Sequence, residues 1–422
     1  MRVKGRYFHG ILVLAFAIAV LVSCIPLTPA ENPKEVVIQT SRHGHITNAT
    51  LVFARDGLNG TWTKLTGTNG VYKFTVNDSS GLYSVAVAEP SDTYSATKVF
   101  FIHYKLLETN FVPVDVGNAT DEDAATLTIN LPSDFATNTQ LGIFFLIEHR
   151  FPSIDDVSGN KVAVAEHLPK GKGDLVIYYP SLWSEEGVQK VAILRNFELY
   201  TDKTINLSTS DFKDSERINR FEDIFLDWLV GGKTAAFGVA SHDQDHKIPS
   251  SLKNDTDLYV FGYFNWKEGF TYSEYRKAYP TTTPFATSSI TPAELPETLV
   301  ATEVMDGTLK ATITPYNPGL SGMSDILYLF RVTSYYELSE GGYPNLDTDY
   351  YVKISKGYLQ ALENDVYTFP VISSTEFQPY NIDLDANIIA GDEDVISANM
   401  TLKDFFVPKD GLKILKWFYA VF

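Results

Sequence analysis

Cysteine is almost absent: Cys24 is the sole one in 422 residues, which excludes an intrachain disulfide and leaves the fold to be held without covalent cross-links. Basic residues are scarce as well, 34 Lys+Arg against 52 Asp+Glu, for a net charge of −18. Phosphate neutralisation needs clustered Lys and Arg, so nucleic acid is not an expected partner. Apart from the N-terminus, no segment is long and apolar enough to span a bilayer as a helix. Glycine, at 27 residues, is far below a collagen-like share. What the chain does have is 44% apolar and 13% aromatic residues, which exclude a disordered protein and allow two to four domains with cores of their own.

The first residues carry an address. Arg2, Lys4 and Arg6 form a positive n-region, and Ile11 to Val22 an apolar h-region too short for a stable span. The run ends Leu21-Val22-Ser23-Cys24, an aliphatic residue, then a small residue directly before Cys. It resembles the lipobox of bacterial and some archaeal lipoproteins. The resemblance implies cleavage after Ser23 and a lipid on Cys24, with residues 1–23 a signal peptide and 24–35 a tether containing Pro26, Pro29 and Pro33. Removing Arg2, Lys4 and Arg6 takes the net charge from −18 to −21. The expected location is the cell envelope, outside the cytoplasm, with the membrane as partner through the N-terminal lipid.

From Glu35 the dominant pattern is alternation of apolar and polar residues. In Val71–Val76 it puts Tyr72, Phe74 and Val76 on one face, and in Leu82–Val87 it gathers Tyr83, Val85 and Val87. Between these runs, Asn77-Asp-Ser-Ser-Gly81 has the residues of a hairpin turn. Further strands are expected at 127–131, 141–147, 175–179, 191–199, 258–266, 326–332, 350–354 and 414–422. One amphipathic helix is expected over Glu216–Val230, where Ile218, Phe221, Ile224, Phe225, Trp228 and Leu229 recur at intervals of three and four and Gly231-Gly232 would end it. The fold class is therefore mainly β, tandem β-sandwich modules with one short amphipathic helix.

Two segments resemble known modules. Gly70 to Val87 looks like the paired strands of immunoglobulin-like and prealbumin-like surface modules. Leu168-Pro-Lys-Gly-Lys-Gly-Asp-Leu-Val-Ile-Tyr-Tyr179 resembles the turn and strand of carboxypeptidase-regulatory-like modules, without the Tyr usual after the glycine. The resemblance implies an immunoglobulin-like sandwich over 36–122 and a prealbumin-like one over 123–214, in a family whose modules are spacers or binding units. Residues 215–422 are expected to form a β-rich C-terminal domain, with a Pro/Thr/Ser-rich loop or linker at 279–298.

Motifs for chemistry are few. Asp383, Asp385, Asn387 and Asp394 resemble ligand positions one, three, five and twelve of an EF-hand-type calcium loop, and Ca²⁺ takes six to eight hard oxygens. Ile388 stands where that loop needs Gly, and Asp394 replaces the longer Glu. The competing reading is a solvated acidic loop, and so is that of Asn345-Leu-Asp-Thr-Asp349. His242-Asp-Gln-Asp-His246 offers imidazole and carboxylate ligands but reads as a polar turn, as does His43-Gly-His45. No nucleophile elbow, phosphate loop or dinucleotide fingerprint occurs, and Gly319-Leu-Ser-Gly-Met323 stops one Gly short. Seven Asn-x-Ser/Thr sequons fall at Asn48, Asn59, Asn77, Asn118, Asn206, Asn254 and Asn399.

The expectation is a non-enzymatic, lipid-anchored surface protein for binding, adhesion or envelope architecture, without a resident cofactor unless the acidic loop takes Ca²⁺. Its ligand would be a glycan or a protein. The alternative is an extracellular glycoside or polysaccharide hydrolase with a carboxylate pair in the C-terminal region. A solute-binding lipoprotein ranks below both for want of alternating βα units, and an outer-membrane barrel, prompted by Trp417–Phe422, ranks lowest.

Overall fold

A computed structural model describes residues 34–42, 44–90, 96–117, 123–146, 148–180, 188–219, 224–232, 236–238, 244–247, 249–266, 272–280, 299–336, 345–403 and 413–419. Among the described residues the fold is mainly β, several sheets with little helix, of which Lys356–Leu359 is a short α-helix. Its backbone is a sheet of twelve strands. Leu51–Asp56, Leu82–Glu89 and Thr97–Lys105 lie side by side in it, and Thr97–Lys105 then pairs in parallel with Asn345–Ser355. From there the sheet continues through Asp325–Tyr336, Asn387–Ala398, Lys413–Tyr419, Tyr272–Pro280 and Leu258–Trp266 to Ile224–Leu229. Segments expected in two different units, 36–122 and 215–422, thus share one ladder.

Both faces of this sheet are covered around its N-terminal strands. A four-stranded sheet built on Glu35–Arg42 encloses one core, with Val36, Ile38, Tyr72 and Val114 packed against Tyr83, Val85, Val87 and Ile102. A three-stranded sheet of Val300–Met305, Thr308–Ile313 and Val366–Thr368 encloses the other, where Leu309, Ala311 and Tyr367 meet Ala86, Phe101 and Tyr350. This is why Leu82–Glu89 is buried at seven successive positions: alternate residues feed two different cores. Residues 123–214 form a second sandwich of five and four strands around Leu127, Ile143, Ile177 and Phe197.

Two expectations are corrected. Tyr72, Phe74 and Val76 do turn inward, but Val71–Thr75 pairs with Glu35–Arg42 while Leu82–Glu89 pairs with Leu51–Asp56. Asn77–Gly81 is therefore an arch from one sheet to the other, with Gly81 at φ 69° as a turn there requires. The helix expected at Glu216–Val230 is two strands, Glu216–Asn219 and Ile224–Leu229. A short apolar run satisfies both periodicities, and pairing decides between them: Ile224–Leu229 runs antiparallel to Leu258–Trp266 along its whole length.

Candidate functional site

The polar groups with chemical potential lie within the fold. Along Leu82–Glu89 and Thr97–Lys105 the buried positions facing the three-stranded sheet are apolar except for Ser84 and His103, both 0% exposed. Ser84 Oγ lies 2.9 Å from His103 Nδ1, and His103 Nε2 lies 2.9 Å from the Tyr367 hydroxyl. Ser84 Oγ also meets the Tyr358 hydroxyl at 3.1 Å. Arg55 Nη2 donates to Tyr358 Oη at 2.9 Å and to Ser84 Oγ at 3.2 Å, and its guanidinium covers the Trp62 ring at 4.9 Å.

Burial, reinforced by the Arg55 charge, holds the His103 pKa well below its ordinary value, so the imidazole is neutral with one N–H and one acceptor nitrogen. One of Ser84 and Tyr367 therefore accepts from it and the other donates to it. Burial likewise pushes Tyr367 well above the phenol range. A Ser–His contact of this length can activate a nucleophile; both side chains are shut off from solvent. Here it ties the helix, through Tyr358, and the three-stranded sheet, through Tyr367, to the central layer. No sequence motif marks this network; its only trace in the sequence is a polar residue at a buried inward position of each of two strands.

Glu393 is the second buried group, 4% exposed in Asn387–Ala398 opposite Phe330. Loss of solvation pushes its pKa up to about 7, against the opposing effect of a hydrogen bond from the Val300 backbone N–H.

Charged clusters hold the second sandwich at both of its junctions. Arg42 Nη2 donates to Glu89 at 2.5 Å and Nη1 to Asp123 at 3.2 Å. Burial alone would lower the Arg42 pKa; Glu89 and Asp123 raise it instead. His45 Nδ1 bonds the Lys170 carbonyl, and its Nε2 faces Asp123 at 3.4 Å. On the other side Arg195 donates to Asp257 through both terminal nitrogens, at 2.8 and 2.5 Å, and to Asp174 at 3.0 Å. The Asp257 side chain, 0% exposed, also accepts from the backbone N–H groups of Gly231 and Asn254.

The expected calcium ligands are not gathered at one point. Asp383 is exposed and accepts from the Tyr336 hydroxyl and from the Asp385 backbone N–H, the latter at 3.0 Å. Asn387 opens the strand Asn387–Ala398, which carries Asp394 seven residues along, about 23 Å at ~3.3 Å per residue. Among the described residues no group of three or more His, Cys, Asp or Glu is placed to hold a metal. Asp349, from the shorter acidic run, is buried and accepts from Thr333 Oγ1 at 2.6 Å. Cys24, His43 and His242 lie outside the described residues, as does the stretch 281–298 of the expected linker. Of the sequons, Asn48, Asn59, Asn77, Asn206 and Asn254 are exposed.

No protein-family model matches this chain, and no curated protein matches its sequence.

Proposed function

We propose that this is a non-enzymatic, lipid-anchored protein of the cell envelope, working outside the cytoplasm in binding, adhesion or envelope architecture. The observation that carries the reading is the use made of its reactive side chains. Ser84, His103, Tyr358 and Tyr367 are consumed in a buried network that ties the three-stranded sheet and the helix Lys356–Leu359 to the central sheet. The Arg42 and Arg195 clusters add stiffness at the module junctions, which suits a load-bearing or ligand-presenting surface. Tyr200 and Tyr336, at 55% and 47% exposure, offer the flat rings with polar edges that glycans and protein partners use. The lipobox-like Leu21-Val22-Ser23-Cys24 supplies the anchor.

One observation favours the hydrolase alternative: Glu393, with a pKa of about 7, has the protonation behaviour of a general acid. Its 4% exposure weighs against contact with a polymer.

The test is fractionation of cells producing the wild type and Cys24→Ala. The wild type is expected in the membrane fraction, released by detergent but not by alkaline carbonate, and the variant in the soluble extracytoplasmic fraction. Equal membrane retention of both would overturn the anchor.

A further inference from the structure

We infer that the end of the first sandwich where the chain emerges rests on the lipid bilayer, with Leu107 seated in the membrane interface; this relies on the lipid-anchor reading above. The entry point is fixed by backbone contacts. The Lys34 carbonyl accepts from Val76 N at 2.9 Å, Asn110 Nδ2 donates to the Glu35 carbonyl at 3.3 Å, and Val37 N donates to Asn110 O at 2.9 Å.

Immediately beside that point the chain turns from Thr97–Lys105 into Phe111–Asp115, with Glu108 N and Thr109 N both donating to the Lys105 carbonyl. Leu107 is at the apex and is 85% exposed, more than any other large apolar side chain described. The turn is not loose. The Glu108 carboxylate accepts from Lys105 N at 3.1 Å, from Gly357 N at 2.7 Å and from Ser355 Oγ. A braced turn that holds a leucine in water beside the point where the chain enters the fold is suited to a surface that removes that leucine from water.

Reach and charge agree. Eleven residue steps lead from Cys24 to Glu35, so the entry point stays within about 38 Å of the lipidated residue at ~3.5 Å per residue. The opposite end of Glu35–Arg42 lies roughly 23 Å further off and carries the Asp123 junction to the second sandwich. Three lysines, Lys105, Lys356 and Lys403, lie at or next to the backbone that surrounds Glu108. Lys105 N donates to its carboxylate at 3.1 Å and Lys403 N to its carbonyl at 3.3 Å, and Lys356 precedes Gly357, while the Lys356 amine donates to the Ser324 carbonyl at 3.2 Å. Basic residues at this end favour anionic lipid.

The test uses the full chain, produced with its signal so that Cys24 is acylated, in vesicles of phosphatidylethanolamine and phosphatidylglycerol. Once Cys24 carries lipid, Leu107→Cys supplies the only thiol, for an environment-sensitive fluorophore; Val157→Cys, an exposed position in the second sandwich, is the control. The label at 107 is expected to be about threefold or more better protected from aqueous iodide than that at 157, and to be quenched by nitroxide-bearing lipid. Flotation with the vesicles and equal iodide quenching at both positions would overturn the inference while the anchor stands. Failure to float would remove the anchor and the inference together.

Discussion

Glu393→Gln should stabilise the protein at alkaline pH and leave it nearly unchanged in acid. The native carboxyl keeps its proton up to about pH 7, whereas the unfolded chain releases it near the ordinary value of 4.5. Between those values the native state binds more protons, so the stability present below about pH 4.5 is lost as pH rises and stays lost above 7. At about 1.4 kcal/mol per pH unit, this gap is worth up to roughly 3 kcal/mol. Gln has nearly the same volume, keeps an oxygen for the Val300 N–H and carries no charge at any pH. The assay is urea unfolding followed by tryptophan fluorescence at intervals from pH 4 to pH 8. The variant is expected within about 0.5 kcal/mol of wild type at pH 4, and the difference should grow through pH 5 to 7 towards that limit. A difference that is flat with pH, or complete by pH 5, would refute the reasoning, because the carboxyl would then be titrating like an exposed one.

Asp257→Ala leaves the Arg195 guanidinium half-buried and strips partners from Gly231 N and Asn254 N; a loss of about 3–5 kcal/mol is expected by urea unfolding, and less than about 1 kcal/mol would show the junction to be ornamental. Tyr367→Phe deprives His103 Nε2 of its partner and should cost about 1–3 kcal/mol by the same assay, whereas a neutral result would mean that the network is not a brace. EDTA should leave the melting temperature unchanged, since Asp394 is strand-bound away from Asp383 and Asp385; a drop reversed by added Ca²⁺ would contradict the geometry.

Alternation was legible wherever a strand has a fixed inner face: Tyr72, Val76, Tyr83 and Val85 all turn inward as their spacing predicts. Which strand pairs with which was not legible, because pairing here is non-local. The parallel ladder between Thr97–Lys105 and Asn345–Ser355 joins residues some 250 positions apart, and nothing in either run names the other. The same limit explains Glu216–Val230, where local periodicity favoured a helix and a distant strand, Leu258–Trp266, supplied the backbone partners that made it β. In the calcium-like loop, spacing treated Asp383 to Asp394 as one turn, but Ile388, Ile389, Val395 and Ile396 are strand formers and carry Asp394 into the sheet. Ser84 and His103 were visible as polar interruptions, yet their partners Tyr358 and Tyr367 are 274 and 264 residues away in sequence.

The central claim is binding without catalysis. Its most direct test is incubation of the chain from residue 25 onward with insoluble polysaccharides and cell-wall fractions, scoring both protein retained and sugar released. Retention on at least one fraction with no soluble sugar is the predicted result. Release of reducing sugar, abolished by a carboxylate substitution in the C-terminal region, would contradict the account and establish a hydrolase in its place.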